Sequence, residues 1–213
     1  MALKLKRIEV EEKLKNIGLE VFTPQEFKGV FNVSLKRAAN FISSNLSSGL
    51  FVKLRNNFYT IKDSHPDYFF IANKLYQPSY VSLETALSYH KIIPEVVYGN
   101  TSITTKTSRE FATPVGNFTY RHIKIAAFTG YELREVDRYK ILIAEPEKAL
   151  ADYLYFVDLK KISLNDRLKL RNIDKPKLLE YAKLFKRPSM LKLISQMYVD
   201  AREPPKIYWP DAN

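Results

Sequence analysis

The stretch "SLKRAANFISSNLSSGLFVKLRNNFYTIK", Ser34–Lys62, decides how the rest of the chain is read. Its first half has helical periodicity. Leu35, Ala38, Ala39, Ile42 and Leu46 fall on one stripe and are expected to face a core, while Lys36, Arg37, Asn40, Ser43, Ser44 and Ser47 fall on the other side. At Leu50 the period changes to two: Leu50, Val52 and Leu54 alternate with Phe51, Lys53 and Arg55. Asn56-Asn57 supplies two residues that tolerate positive φ, which suits a tight hairpin turn, and Phe58–Ile61 forms the returning strand.

Upstream, a first helix is expected over about Arg7–Ile17, with Ile8, Leu14 and Ile17 inward and Gly18 as its stop. A second opens at "TPQEF", with Thr23 as N-cap, Pro24 in the first helical position and an acid in the first turn, and ends at Gly29. Three helices followed by a two-stranded hairpin is the order of a winged helix-turn-helix. That fold lays its third helix in the major groove of double-stranded DNA and its hairpin wing along the backbone. Asparagine can pair with adenine, arginine with guanine, and serine with base edges or phosphates. Lys53 and Arg55 sit beside the wing turn, where phosphates would lie. The expected contact set is therefore Thr23, Gln25, Lys36, Arg37, Asn40, Ser43, Ser44, Lys53, Arg55, Asn56 and Asn57.

A helix that merely faced water would more usually carry Glu–Lys pairs at i,i+4. Here no acid occurs between Lys28 and Lys62, while Lys36, Arg37, Lys53 and Arg55 accumulate. The whole chain carries 34 basic and 23 acidic side chains, a balance that favours a polyanionic partner. Residues 1–62 hold 11 basic and 5 acidic groups, 63–156 hold 10 and 11, and 157–213 hold 13 and 7, so two basic ends flank a neutral middle.

The polar, proline-containing "KDSHPDY", Lys62–Tyr68, marks the expected boundary between a DNA-binding domain, residues 1–63, and a second domain, residues 64–213. The second domain is expected to be α+β. "DYFFIANKLY" and "SLETALSYHKI" read as helices, the latter capped by Ser82, and residues 101–144 as strands, including "NFTYRHIKI", "YELREV" and "YKILIA". "PEKALADYLYFV" returns to helix. The remainder reads as helical, broken at Asp174–Pro176 and Arg187-Pro188, before the proline-rich tail "REPPKIYWPDAN". Several helices around a small, mostly antiparallel sheet are expected.

The chemistry of an enzyme is not expected. With no cysteine there is no disulfide, thiolate metal site or cysteine nucleophile, and a reducing cytoplasm is the natural setting. The N-terminus lacks the apolar core of a secretion signal, and no apolar run is long enough for a membrane span. The six glycines never come closer than 11 positions, so no phosphate-binding loop is present. His65, His90 and His122 are isolated. Glu132, Glu135, Asp137, Glu145, Glu147 and Asp152 form the one acidic group that could suggest a metal-dependent nuclease, but "EPEK" lacks the Glu-x-Lys spacing and Glu147 is explained by the helix dipole. No cofactor or metal is expected. Near the C-terminus, Lys160, Lys161, Arg167, Lys169, Arg171, Lys175, Lys177, Lys183, Lys186, Arg187 and Lys192 are either a solvated surface or a second phosphate-facing one.

Taken together, "FTPQEF", "VSLKRAANFISSNLSSGLFVKLRNNFYT", "ANKLYQPSYVSLETALSYH", "REFATPVGNFTYRHI" and "IAEPEKALADYLY" resemble the AbiEi-type antitoxins of abortive-infection, type IV toxin–antitoxin systems. The similarity runs from about Phe22 to Ile194. It implies an N-terminal winged helix that represses the protein's own operon; the expected partner is double-stranded operator DNA with inverted repeats, bound by paired monomers or by a preformed dimer. It also implies a C-terminal domain that neutralises a nucleotidyltransferase toxin encoded beside it, without a stable toxin complex. Two positions depart from the pattern: Asn56-Asn57 stand where the wing often has a glycine, and Lys91 where a glycine is common. Two rivals stay open: a stand-alone regulator whose second domain dimerises or senses a ligand, and an enzyme acting on nucleic acid.

Overall fold

The computed structural model describes residues 5–200, so the proline-rich tail lies outside the described residues. The chain begins α1 (Arg7–Asn16), β1 (Val21–Phe22), α2 (Pro24–Phe31), α3 (Leu35–Ser47), β2 (Phe51–Arg55) and β3 (Phe58–Ile61). The three strands form an antiparallel sheet in the order β1-β3-β2. A two-residue strand has no periodicity to read, and β1 was not expected.

The N-terminus of α2 follows its sequence: Thr23 Oγ1 accepts from Glu26 N at 3.2 Å and Glu26 Oε2 accepts from Thr23 N at 2.8 Å, a reciprocal capping box. Its end does not. The helix runs through Gly29 to Phe31, and Asn32, in the left-handed conformation at φ 48°, terminates it. In α1 the buried residues are Val10 and Leu14, whereas Ile8 and Ile17, expected inward, are exposed. The stripe of α3 is also displaced. Ala38, Ile42 and Asn45 are buried, Phe41 and Leu46 are half-buried, and Leu35 (48% exposed) and Ala39 face out. The core lies under the middle of the helix, so the first-turn leucine overhangs it.

Phe22, Phe27, Phe31, Phe41 and Phe51 form the centre of this first core, with the Phe27 ring 4.5 Å from Phe31 and 5.7 Å from Phe41. The small sheet is buried on both faces. Phe22, Phe51, Tyr59 and Ile61 pack into the helical core, while Val21, Leu54 and Phe58 pack into the core of the following residues. Two polar links join the same surfaces. Arg138 Nη2 donates to Glu20 Oε1 at 2.5 Å, and Tyr139 OH donates to Glu20 Oε2 at 3.1 Å.

Beyond β3 come α4 (Tyr68–Leu75), β4 (Ser79–Val81), α5 (Leu83–Tyr89), β5 (Asn100–Thr104), β6 (Arg109–Thr113), β7 (Gly116–His122), β8 (Tyr131–Val136), β9 (Tyr139–Ala144), α6 (Pro146–Asp158), α7 (Lys175–Lys183) and α8 (Pro188–Asp200). The sheet is larger and more mixed than expected: six strands in the order β6-β7-β5-β4-β9-β8, with β5–β7 and β4–β9 parallel and the other three pairs antiparallel. Its central strand β4 is three buried residues, too short to show an alternation. Tyr120 OH donates to the Ala72 carbonyl of α4, and Tyr80 OH donates to Asp152 of α6, so the sheet lies between these two helices. Residues 159–174, expected to be helical, are irregular apart from one 3-10 turn at Leu170–Asn172. Lys91, beyond α5, adopts φ 58°, the backbone state that a glycine would take without strain.

Candidate nucleic-acid interface

At 100° per residue, Lys36, Ser43, Ser44 and Ser47 lie within about 60° of the direction of Asn40 around the axis of α3. All five are exposed, with Ala39 and Leu35 at one margin and half-buried Arg37 at the other. The face is positioned by the helix's opposite side and by its ends. Ser34 Oγ accepts from Arg37 N at 3.3 Å at the start. Arg7 Nη2 donates to the Ser48 carbonyl at 3.1 Å past the end, placing a cation at the negative pole of the helix dipole. Buried Asn45, which sequence reasoning left on neither face, donates to the Phe41 carbonyl at 2.8 Å and accepts from Ser48 Oγ at 3.3 Å. Two of the exposed hydroxyls also bond within the helix, Ser44 Oγ to Phe41 O at 3.1 Å and Ser47 Oγ to Ser44 O at 3.4 Å.

The hairpin supplies Lys53, Asn56 and Asn57 to the surface, and of the two turn asparagines only Asn57 has positive φ, 63°. A register shift between Lys53 and Arg55 bulges β2 just before the turn. Arg55 is engaged elsewhere. Its Nε and Nη2 donate to the Leu75 carbonyl at 2.8 and 2.5 Å, and its guanidinium lies 4.0 Å from the Phe58 ring centre and 5.2 Å from that of Phe111. This arginine closes the end of α4 against the hairpin, a role the sequence did not suggest when it was expected to face phosphates. Thr23 is also engaged, its hydroxyl held in the capping box beside the Glu26 carboxylate, whereas Gln25 is exposed.

Of the acidic group considered as a nuclease site, Glu132, Glu145, Glu147 and Asp152 are each held in a pairing. Glu145 Oε2 accepts from Lys177 Nζ at 2.8 Å and Tyr181 OH at 2.6 Å, and Glu147 accepts from Asp174 N at 3.1 Å. The Lys177 ammonium and the Tyr181 hydroxyl hold the Glu145 carboxyl below the usual carboxylate range. Burial, with the neighbouring Glu145, pushes Tyr181 up to about 12. Lys148 and Asp152 are both wholly buried and pair with each other one turn apart on α6. Asp152 Oδ2 also accepts from Tyr80 OH at 2.9 Å and Ser82 Oγ at 2.8 Å, and Lys148 Nζ lies 4.8 Å from the Phe185 ring centre. Ser82 is thus spent on Asp152; its side chain does not cap α5 as expected. Burial pushes the Asp152 carboxyl up against the opposing pull of Lys148. With no opening to solvent, the cluster is core architecture. Among the described residues no group of three or more metal-ligating side chains comes together. His90 Nε2 lies 2.8 Å from the Ala144 carbonyl, joining the end of α5 to the end of β9, and burial lowers its pKa.

The C-terminal basic set is partly drawn into ion pairs and partly left exposed. Arg167 pairs with Glu95 and Arg187 with Asp158, while Lys160, Lys161, Lys169, Arg171, Lys183 and Lys186 are exposed. Lys169 and Arg171 share a groove of about 730 Å3 with His90, Lys91 and Tyr198. Among the described residues no helix is long and apolar enough to cross a membrane. No family model matches the chain, and no curated protein matches it at a significant level.

Proposed function

We propose that the chain is an operator-binding antitoxin of the type IV kind, whose first 63 residues are a winged helix-turn-helix that represses its own operon in the cytoplasm. The observation that carries this reading is the outward face of α3: Lys36, Asn40, Ser43, Ser44 and Ser47 exposed together, on a segment from Lys28 to Lys62 that holds no carboxylate. Serine and asparagine on a helix face offer donors and acceptors to base edges, and the absence of acid spares the helix repulsion from phosphates. The order α1-β1-α2-α3-β2-β3 supports the same docking, with α3 in the major groove and Lys53, Asn56 and Asn57 following the backbone. Arg55, held by Leu75 and the aromatic rings, plays no part in it. On this reading the six-stranded part carries the antitoxic function against a neighbouring nucleotidyltransferase.

The test is titration of the full chain with the DNA upstream of its own gene, beside a scrambled duplex, at several salt concentrations. With about six phosphates neutralised, log K is expected to fall against log salt with a slope near −5. Equal affinity for both duplexes would reject the repressor. Co-expression of the full chain with the adjacent nucleotidyltransferase, scored by growth, tests the antitoxin; a locus without such a neighbour would favour a stand-alone regulator.

A further inference from the structure

Far from α3 in sequence, a cavity of about 410 Å3 opens where β5 and β7 begin, between the start of α4, the end of α5 and the turn before Asn117. Pockets that hold small molecules run from roughly 300 to 1,000 Å3. Its wall is aromatic. Tyr68, Phe69, Tyr89 and Tyr98 line it, with Phe69 edge-on to Tyr89 at 5.8 Å and Tyr98, 96% exposed, standing at the mouth. No lining side chain is charged. Two glycines let the turns close around it: a Cβ at Gly99 (φ 99°) would lie 3.3 Å from the Asn117 carbonyl, and one at Gly116 (φ 148°) 3.2 Å from the Tyr68 ring.

Asn100 also lines this cavity and is only 3% exposed. Its Oδ1 accepts from Ser102 Oγ at 3.1 Å, but its Nδ2 is buried without a partner. The nearby hydroxyls are matched, Thr85 Oγ1 with Thr101 Oγ1 at 2.9 Å and Ser88 Oγ with the Glu95 carbonyl at 2.7 Å. An unpaired buried donor costs about 1–3 kcal/mol. A trapped water would want two to four polar partners. Among the described residues, Nδ2 is the one unpartnered buried side-chain atom on this lining.

We propose that the cavity binds an uncharged planar ring carrying a carbonyl oxygen, the chemistry of a nucleobase. The tyrosines stack on the ring and Asn100 Nδ2 donates to the carbonyl. A lining without charge has nothing to hold a phosphate or a carboxylate, so any sugar-phosphate stays outside the mouth. The ring comes either from a free nucleoside or nucleotide or from an unpaired base in a strand. None of this depends on what α3 binds.

Ligand-observed NMR and calorimetry on the full chain, with uridine, guanosine, adenosine, uridine monophosphate and a tetrauridylate, test the proposal. Uridine and guanosine are expected to bind saturably, and adenosine, which lacks the carbonyl, about tenfold more weakly. The monophosphate should match uridine. A tetramer at least about tenfold tighter identifies a strand as the source, and one no tighter identifies the free compound. Tyr98→Ala, at a ring in open solvent, should lower affinity about tenfold without disturbing the fold. Asn100→Leu should erase the preference for uridine over adenosine. If that variant does not fold, movement of the Asn100 side-chain amide signal on uridine addition replaces it. Absence of saturable binding by any of these compounds, or binding untouched by Tyr98→Ala with the Asn100 signal unmoved, would each overturn it.

Discussion

α3 and α6 are each 13 residues long, and they use polar side chains in opposite ways. α3 buries three residues and turns Lys36, Asn40 and its serines to solvent. α6 buries nine, among them Glu147, Lys148 and Asp152. Judged by residue type alone, α6 has the more reactive inventory, with two carboxylates and an amine within six positions. Its burial turns that inventory into a scaffold, because each group is held by a neighbour and closed off from solvent. The plainer amides and hydroxyls of α3 are the ones in a position to meet another molecule. Accessibility separates the two roles more sharply than reactivity does.

The largest effect should come from α6. Asp152→Ala leaves the Lys148 ammonium buried beside Phe185 with no counter-charge, and should cost about 3–5 kcal/mol. Replacing the pair by Lys148→Met with Asp152→Leu should recover most of that in urea unfolding. A single variant as stable as the parent would mean that the cluster is wet and open, and would revive it as a site. On α3 the pattern reverses: Asn40→Ala should leave unfolding within about 0.5 kcal/mol of the parent. It should nonetheless weaken operator binding by about 1–3 kcal/mol in a base-dependent way, whereas Lys53→Ala weakens all sequences alike.

A pH titration sharpens the contrast further. The Glu145 carboxyl is held low in the folded chain, so its contribution is present above the ordinary carboxylate range and is lost as pH falls from that range through the lowered folded pKa. Because Glu145 and Lys177 are partly exposed, Glu145→Gln should flatten the acid limb of the stability profile by no more than about 1 kcal/mol. α3 has no acid to titrate. The smallest change is expected at Leu35→Ala, within about 0.5 kcal/mol, since the side chain overhangs the core. A loss of about 2 kcal/mol or more would instead mark it as packed.

Long periodic elements and the cap at Thr23 were legible in the sequence, whereas the expected cap at Ser82 and stop at Gly29 were not borne out. The Thr23–Glu26 box, the extent of α3, the hairpin turn and the strands β8 and β9 all stand where local rules put them. The misplacements have a common cause. Leu35 and Ala39 belong to the apolar stripe by spacing, but which part of a stripe is covered depends on what lies opposite, and that is a tertiary matter. β4 is invisible because three buried residues have no period. Arg55 looked like a phosphate contact because its partner, the Leu75 carbonyl, is 20 positions away. Lys148 and Asp152 stand at i,i+4 but were not paired from the sequence, and their burial gave no signal there, because Tyr80, Ser82 and Phe185 close over them from distant segments. Asn100 gave no signal at all: a lone asparagine at a strand start becomes notable only once its amide is seen to go unanswered.

The sheet that carries the hairpin has one further consequence. Because Val21, Leu54 and Phe58 are roofed by the larger half while Phe22 and Phe51 are roofed by the smaller, cutting the gene after Ile61 would not yield two tidy pieces. Each fragment would display a raw greasy flank, and the clumping that followed would masquerade as loss of function. Dissection of this protein by point changes on an intact chain is therefore the more informative route.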